Sequence, residues 1–508
     1  MANYKKDNSK QNMFVPIMID EQLIPGTIEY AIAHIVDNYL DLSSFDLVFS
    51  NDNGGATAYP PSIMLKIIFY AYSLGLLSSR RIARACQTNI TFMCLSGDVQ
   101  PHYTSIAAFI THMSKHIQPL FTQVLMTCEQ QGLIGGNMFA IDGCKIPSNA
   151  SKEWSGTHAE LTRKKAKLER ASQRIVERHQ ALDGKPDEHI DSELKQKAKL
   201  DECAKKIETF LASSKEKLGA RKQPVKSNIT DNDSAKMTTS KGTIQGYNGI
   251  AISDDKNQII MQAEAWGSVG EQQTLPPAVN QLLDTLDTLG LSKNNAKFTA
   301  DSGFNSANNL EFLNKKGLDA YIADTGFRSR NPLFQNSETY QTHQANKRKN
   351  RSKTGKTIYS LSLFNFDKVT NTCRCPAGKV MRVLNKKACI NGQLGITFCG
   401  HVRDCRDCVQ QSQCMRNPVG TQRGRQVFFR NDIEPEFNYI EMMKAKIDSP
   451  EGRRQYSKRL GAIEPVFGNI TINKGMDRFT LRGKTKVNAQ WQTYCLIHNI
   501  EKLRNYIH

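Results

Sequence analysis

The seven residues Asn-Met-Phe-Ala-Ile-Asp-Gly at positions 137–143 decide the fold. Their four consecutive apolar side chains predict a buried strand, and this strand ends in the carboxylate of Asp142. A second short strand, Ala296 to Asp301, also ends in an aspartate. A third acidic residue, Glu464, lies in a later helical region with the sequence RLGAIEPVFG. These three acidic residues, each within an apolar local pattern, are the candidate site.

The elements between these residues predict an α/β protein with a mixed sheet. A hairpin around residues 254–257, an amphipathic helix at 271–290, a helix at 308–316, a strand at 320–323 and helices at about 436–468 and 486–506 follow in that order. This is the order of an RNase H-like fold, in which the first and fourth strands are neighbours. The late helix packs beside them. We therefore expect Asp142, Asp301 and Glu464 to meet.

Three carboxylates offer hard oxygen ligands for a pair of Mg²⁺ (or Mn²⁺) ions. Two such ions, about 3.5–4 Å apart, activate a water or a 3′-hydroxyl against a phosphodiester. Taken singly, each residue has a plainer explanation as a turn former or a surface ion-pair partner. Other aspartates compete for the second position, but two of them are turn residues and two lie in a polar segment that the order of elements does not require: Asp254, Asp255, Asp231 and Asp233.

Helical patterns flank and interrupt this core. Residues 14–130 predict short helices with tight polar breaks, and Arg80, Arg81 and Arg84 fit a helix-turn-helix contact to DNA. An ordinary helical bundle explains the same pattern about as well. Residues 157–218 are rich in charge and carry apolar residues every seven positions, which predicts an antiparallel helical hairpin with coiled-coil character. Its charges are typical of a solvated helix face.

Seven of the thirteen cysteines fall between Cys373 and Cys414, after a basic linker. This clustering favours a metal over disulfides. A Cys-x-x-Cys pair with further cysteines at a distance suits a structural thiolate Zn²⁺ site, and our ligand choice is Cys375, Cys405, Cys408 and Cys414. Four other residues could displace one of these ligands: Cys373, Cys389, Cys399 and His401. Because the segment is rich in Arg and poor in apolar residues, we expect zinc to replace a core there.

The composition narrows the class of partner. The 508 residues carry a formal charge of +19, which favours a polyanion such as nucleic acid. No run is long and apolar enough to span a membrane, and the N-terminus lacks the apolar core of a signal peptide, so we expect a cytoplasmic protein. No phosphate-cradling glycine loop is present in the sequence, so no nucleotide cofactor is expected.

Five stretches carry a resemblance to a known family: YPPSIMLKIIFYAYSLG, AIDGCKIPSNASK, KGTIQGYNGIAISDDKNQII, FTADSGFNS and RLGAIEPVFGNI. From about residue 14 to residue 505 the sequence resembles bacterial insertion-sequence transposases of the Asp-Asp-Glu class, of the "eleven-eighty-two" type. The resemblance implies that Asp142, Asp301 and Glu464 are the metal-binding triad. It also implies that Tyr456 and Arg459 hold DNA phosphate. Thr471 occupies the position where these transposases carry a lysine, and Lys474 is the nearest substitute.

The resemblance implies a transposase that binds terminal inverted repeats, cleaves their 3′ ends with Mg²⁺ and joins them to target DNA. A homodimer or larger synaptic oligomer and an association with the bacterial nucleoid follow from it. The expected N-terminal helical DNA-binding domain is 1–130. The expected RNase H-like core has three pieces, 131–156, 219–335 and 431–508. It is interrupted by the helical hairpin, 157–218, and by the basic linker with the zinc insert, 336–430. The hairpin and the zinc insert would grip DNA or a second subunit. Two alternatives remain, namely a non-catalytic zinc-containing DNA-binding protein with a degenerate core, and a nuclease of the same fold without joining activity.

Overall fold

The computed structural model describes residues 18–46, 57–182, 190–219, 223–239, 242–267, 270–335, 358–359, 361–367, 370–390, 393–415, 422–430 and 439–507. The chain divides into two compact units. The first comprises Met1–Asp324 and Ser449–His508, and the second comprises Thr325–Asp448. The finer division into domains stays a prediction, and the predicted basic linker at 336–357 lies outside the described residues.

The N-terminal part of the first unit is helical, as the sequence predicts. Its helices in the described residues are α1 to α7, at Ile28–Asn38, Ser43–Asp46, Pro61–Ser73, Ser79–Thr88, Ile90–Ser96, Tyr103–Met113 and Ile117–Gln130. Pro61 occupies the first turn of α3, where its missing N–H costs no hydrogen bond. Most of α3 is buried, including Leu65, Ile67, Ile68 and Phe69. This helix is therefore the centre of the bundle.

The predicted helical hairpin is present as α8, His158–Leu182, and α9, Ile190–Ser213. The two helices are antiparallel, because contacts pair the start of one with the end of the other. His158 lies against Phe210, and Lys165 forms an ion pair of 2.8 Å with Glu208. Leu161 and Ile207 are buried between them, in agreement with the apolar stripe of the sequence.

The main sheet of the first unit has six strands, β1 and β4 to β8. They are Met138–Pro147, Ala235–Thr239, Gly242–Asp254, Ile260–Trp266, Lys297–Ala300 and Asp319–Ile322. Two further short strands, β2, Ser155–Gly156, and β3, Ser227–Asn228, pair only with each other. β5 pairs with β4, β6 and β1, and the sheet continues from β1 to β7 and β8. The β5–β6 hairpin and the side-by-side position of β1 and β7 confirm the predicted order.

One boundary prediction is wrong: β1 does not end at Asp142. It continues for five residues to Pro147, and the extension pairs antiparallel with β5, from Gly143 opposite Ile250 to Pro147 opposite Gly246. Ile146 in the extension is buried. Polar Lys145 followed by apolar Ile146 is the short alternation that the sequence offers for this extension.

Helices cover the sheet. They are α10, Glu271–Thr288, and α11, Ala307–Lys315, and, after the second unit, α17, Pro450–Gly468, and α18, Lys484–Leu503. α18 lies along β6, whose outer edge would otherwise present unpaired backbone groups. Asn499 bonds the N–H and C=O of Ile260, and Asn488 accepts from Ala265 N–H. Among the described residues, no helix is both long enough and apolar enough to cross a membrane.

Pro465 does not break α17, although a proline in a helix interior usually kinks or ends the helix. The helix continues to Gly468 and passes into one π-helical segment, Asn469–Asn473. Proline removes the N–H that would bond the carbonyl of Gly461. Gln258 supplies a substitute, since its Nε2 donates to Gly461 O at 3.0 Å. Ser253 Oγ likewise donates to Ala462 O at 2.8 Å. The sheet therefore satisfies the carbonyls around the proline.

The second unit is built on a five-stranded antiparallel sheet in the order β13-β12-β11-β10-β9. These strands are Asn365–Asp367, Thr372–Arg374, Val380–Ile390, Gln393–Cys399 and Gln426–Arg430, numbered β9 to β13. Short helices accompany them in the described part, namely α12 to α16 at Phe327–Arg330, Pro332–Gln335, Val402–Arg406, Gln411–Cys414 and Tyr439–Asp448. The unit has an apolar core, formed by Phe364, Cys373, Met381, Ile396, Phe398 and Val427. The expectation that this segment lacks a core is therefore wrong.

Candidate active site

Asp142 and Asp301 lie side by side at one edge of the main sheet. β1 and β7 run parallel with Ile141 opposite Ala300, and the two aspartates are the next residue on each chain. Their charges interact, and the charge of Asp301 raises the pKa of Asp142. The parallel pairing of two strands distant in sequence thus brings two carboxylates together.

Both carboxylates accept hydrogen bonds that orient them. Asp142 Oδ1 accepts from the N–H of Gly143 at 2.7 Å, and Asp142 Oδ2 accepts from Arg459 Nη1 at 2.8 Å. Asp301 Oδ1 accepts from the N–H of Ser302 at 2.6 Å, at the start of a short 3₁₀ turn, Ser302–Phe304. Asp142 lies within β1 and Asp301 directly follows β7, so neither carboxylate is carried by a long loop.

Burial is the largest influence on Asp142 and raises its pKa above the ordinary value. The Gly143 N–H and the Arg459 guanidinium act in the opposite direction, and Asp301 adds to the increase. A carboxylate that is partly desolvated and repelled by a neighbouring carboxylate gains from a nearby cation. This is the electrostatic condition in which a divalent ion binds well.

Arg459 is the cation that the described structure places against this pair. Arg459 is 7 % exposed, and its Nε is buried without a hydrogen-bond partner in the described part of the chain. Burial opposes its charge, but Asp142 and Asp301 raise the pKa of Arg459 in spite of it. The ring of Tyr456, one helical turn earlier, lies 5.9 Å from the guanidinium. Tyr456 and Arg459 therefore stand together beside Asp142.

Glu464 is on the same helix, α17, but it is exposed. Five residues along an α-helix turn a side chain about 140° away, so Glu464 does not share the helix face of Arg459. Among the described residues, no three His, Cys, Asp or Glu side chains form a group that could hold a metal ion as they stand. The structure thus brings together Asp142 and Asp301 but does not group Glu464 with them.

Lys474 does not occupy a position suited to a phosphate contact, contrary to the sequence expectation. It is 3 % exposed, and its Nζ lies 2.6 Å from Glu501 on α18. Thr471 closes the π-helical segment instead, by donating its hydroxyl to Phe467 O. The first exposed cations after Lys474 are Arg478 and Arg482, which the sequence analysis did not single out, and Lys484 and Lys486 follow them. The signal was present as a run of basic residues at 474–486.

The competing aspartates have structural partners. Asp254 accepts hydrogen bonds from the backbone of Gly135, Gly136 and Lys256, which confirms it as a turn residue. Asp231 is 3 % exposed and accepts from Tyr247 Oη at 2.8 Å. The same oxygen accepts from Gly483 N–H, so Asp231 anchors the turn that leads into α18.

Four cysteines of the second unit line one small cavity. It measures about 30 Å³, and its walls include Cys375, Cys405, Cys408 and Cys414. Burial raises the pKa of Cys405 and of Cys414, and the other thiols of the cavity raise both further. The four thiols are thus within electrostatic range of one another, although no three of them form a ready-made metal-binding group in the described structure. His401 also lines the cavity.

Cys373 and Cys399 have other environments. Cys373 is fully buried in the apolar core on β10, and Cys399 is 2 % exposed at the end of β12. The side chain of Cys389 lies outside the described residues. Neither Cys373 nor Cys399 lines the cavity, but both lie within electrostatic range of it, since Cys375 raises the pKa of Cys373 and Cys399 raises the pKa of Cys405.

Comparisons with protein families match two parts of the chain. Residues 374–504 match the family described as "Transposase DDE domain", and residues 18–112 match "Transposase domain (DUF772)". No curated protein and no solved structure matches the chain. Both matches are to transposase families, and together they support a DDE transposase of the bacterial insertion-sequence type.

Proposed function

We propose that this transposase cleaves the 3′ ends of its element's terminal inverted repeats and joins them to target DNA with Mg²⁺ or Mn²⁺. The observation that carries the proposal is the juxtaposition of Asp142 and Asp301, directly after the last residue pair of the parallel β1–β7 ladder, with Arg459 bound to Asp142. Two carboxylates at one sheet edge provide the oxygen ligands that Mg²⁺ prefers in phosphoryl-transfer sites.

An RNase H-like core is part of the proposal. The central five strands run β6-β5-β1-β7-β8, with the first three antiparallel and the last three parallel. In an RNase H-like sheet the corresponding order is third, second, first, fourth and fifth. The agreement in order and direction supports this assignment.

The donor set fits a divalent metal. Asp142 and Asp301 would be its protein ligands, with Glu464 as the third carboxylate named by the family resemblance. When bound, the metal would activate a water or a 3′-hydroxyl and stabilise the leaving oxygen. Glu464 is exposed and is not grouped with Asp142 and Asp301. Cleavage by a Glu464→Gln variant therefore tests whether this third carboxylate belongs to the metal site.

The protein's own residues prepare this site. Gly143 N–H and Arg459 bond the two oxygens of Asp142, and Ser302 N–H bonds one oxygen of Asp301, so both carboxylates are oriented and each oxygen keeps a further lone pair for a ligand. Arg459 balances the charge of Asp142 and, with Tyr456, would hold a phosphate once that charge is neutralised by a metal.

The N-terminal helices would bind the terminal repeats. Arg80, Arg81 and Arg84 are exposed on α4, and Arg80 lies 4.8 Å from the ring of Tyr103 on α6. Exposed cations on a short helix that follows another short helix support a major-groove contact. Paired cleavage at two ends requires a dimer or a larger synaptic complex.

We further propose that Cys375, Cys405, Cys408 and Cys414 hold a structural Zn²⁺. An all-thiol donor set around a cavity of about 30 Å³ fits a single closed tetrahedral ion. The alternative ligand His401 shares the cavity, and its variant would identify a mixed site. The zinc would stabilise the second unit in addition to its apolar core.

The test uses wild-type protein, Mg²⁺ and a plasmid that carries the element's own ends with their flanking DNA. Joined products support the transposase. Nicking without joining would make the chain a nuclease of the same fold. Binding without any cleavage would make it a DNA-binding protein with a degenerate core. Asp142→Asn should remove cleavage while DNA binding stays within about twofold of wild type, because the substituted residue lies apart from the exposed cations.

A further inference from the structure

A basic groove lies beyond the two aspartates, at the same edge of the main sheet. It measures about 650 Å³. Its walls are the end of β1 with the loop that follows, the start of β5, and the segment that precedes α18. Its lining residues include Asn149, Lys152, Trp154, Arg478 and Arg482. All of them belong to the first unit.

The charge of the groove is of one sign. Lys152, Arg478 and Arg482 are exposed, and in the described part of the chain none of them has a carboxylate partner. None of the lining residues is Asp or Glu. By contrast, the exposed Lys206 on α9 and Arg454 on α17 each pair with a glutamate, Glu202 and Glu451. The groove therefore concentrates uncompensated positive charge.

The walls of the groove are already fixed to one another. Arg482 Nε donates to Asn149 O at 2.8 Å, and Asn149 Nδ2 donates to Thr480 O at 3.0 Å. The N–H of Phe479 donates to Pro147 O at 2.8 Å. These bonds use only one of the five N–H groups of Arg482, and they leave its terminal amino groups for a ligand. A preformed basic site loses little entropy on binding.

We propose that this groove binds the phosphodiester backbone of one DNA strand, with Arg478 and Arg482 as phosphate contacts and Lys152 at its mouth. The inference rests on the proposed function, because it supplies the path by which DNA reaches Asp142. Asp142 and Pro147 are five residues apart on β1, which is about 17 Å. At 3.4 Å of duplex axis per nucleotide, this distance spans about five phosphates of a single strand. The groove would thus hold the strand a few nucleotides from the reacting bond.

The test compares the salt dependence of DNA binding by the full-length wild-type chain and by Arg478→Gln/Arg482→Gln. The probe is a fluorescein-labelled 30-bp duplex of arbitrary sequence, because phosphate contacts carry no sequence information. Loss of two phosphate contacts should reduce the slope of log K against log salt by about 1.8. Affinity at 0.1 M salt should fall on the order of 10- to 100-fold.

The matched control is Arg504→Gln/Lys293→Gln, which removes the same charge elsewhere. Both control residues are exposed, Arg504 after the far end of α18 and Lys293 before the amino end of β7. The control should keep the wild-type slope. Arg478→Gln alone removes no hydrogen bond of the described structure, so its slope remains informative if the double variant folds poorly. The double Arg→Lys variant should restore the slope.

An unchanged slope in Arg478→Gln, or a change equal to that of the control pair, would overturn the groove assignment. Cleavage by wild-type protein is measured separately with the plasmid substrate. If the groove variant loses slope while wild type does not cleave, the groove stands and the proposed chemistry falls. If wild type cleaves and the slope does not change, the chemistry stands and the groove falls.

Discussion

Arg459 Nη1 donates a 2.8 Å hydrogen bond to Asp142 Oδ2, although 317 positions separate the two residues in the chain. The pair links the late helix α17 to the central strand β1 and places a buried cation against a carboxylate that already faces a second carboxylate. Three charges of the site therefore depend on one another.

Removal of the cation should destabilise the folded chain. Arg459→Met leaves Asp142 partly buried with Asp301 as its charged neighbour, and loss of one partner of a buried ion pair costs about 3 kcal/mol. Urea unfolding measures the change. The double variant Arg459→Met/Asp142→Asn should lose less than the sum of the two single variants, since no isolated charge remains. Additive losses would contradict the coupling.

His498 should make stability depend on pH. Burial, with the nearby charge of Lys502, lowers the pKa of His498 to about 4 from its ordinary value of 6.5. The unfolded chain then binds a proton that the folded chain does not, so stability falls as the pH decreases from about 6.5 to about 4. The loss should be about 3 kcal/mol. In the structure the ring accepts from Asn469 Nδ2 and donates to Gln258 O, an arrangement that suits neutral imidazole.

The measurement is urea unfolding at several pH values in wild type and in His498→Gln. The variant has no titrating ring at this position, so its stability curve should be flatter over this interval. Parallel curves for the two proteins would show that His498 is not the group responsible.

The cysteine cavity should contain zinc. Purified protein should carry about one zinc per chain by elemental analysis, and Cys408→Ser should lower that content severalfold. The control is Cys203→Ser, a cysteine of α9 that lies outside the cavity. Wild-type protein with far less than one zinc per chain would remove the site. Reduced zinc in the His401→Ala variant would instead show that His401 is a ligand in place of one of the four cysteines.

The loss of stability caused by a substitution at Gln258 should depend on whether Pro465 is present. Gln258→Asn shortens the side chain that bonds Gly461 O and should cost about 1 kcal/mol. Asparagine tolerates the left-handed backbone of this position, where φ is 61°. In the Pro465→Ala background the helix recovers an N–H for Gly461 O, so the same change should cost less. An equal cost in both backgrounds would contradict the explanation of how the helix tolerates proline.

The sequence was most informative where the order of strands determines neighbours. Asp142 and Asp301 could be paired because a first and fourth strand that run parallel bring their carboxyl ends together, and both residues follow apolar runs. The length of β1 was harder to predict from the sequence. Residues 143–147 pair with β5, but they contain only one strongly apolar side chain that the structure buries, Ile146.

Side-chain direction on α17 and beyond could not be read from spacing. The orientation of Arg459 toward Asp142, and of Glu464 toward solvent, depends on how the helix is rotated against the sheet. The burial of Lys474 depends on Glu501, which is 27 residues away on another helix. Gln258 compensates Pro465 from a hairpin 203 residues earlier than Gly461. These are tertiary contacts, and local patterns carry no trace of them.

The central claim is that Asp301 is a metal ligand in the same site as Asp142, and metal-dependent cleavage by Asp301→Cys tests it most directly. Thiolate prefers softer ions than carboxylate does, so this variant should be inactive with Mg²⁺ and regain cleavage with Mn²⁺. Asp301→Asn should be inactive with either ion, and all variants should bind DNA within about twofold of wild type. The control Asp319→Asn, at the amino end of the neighbouring strand β8, should cleave normally. Cleavage by Asp301→Asn at the wild-type rate in Mg²⁺ would contradict the account.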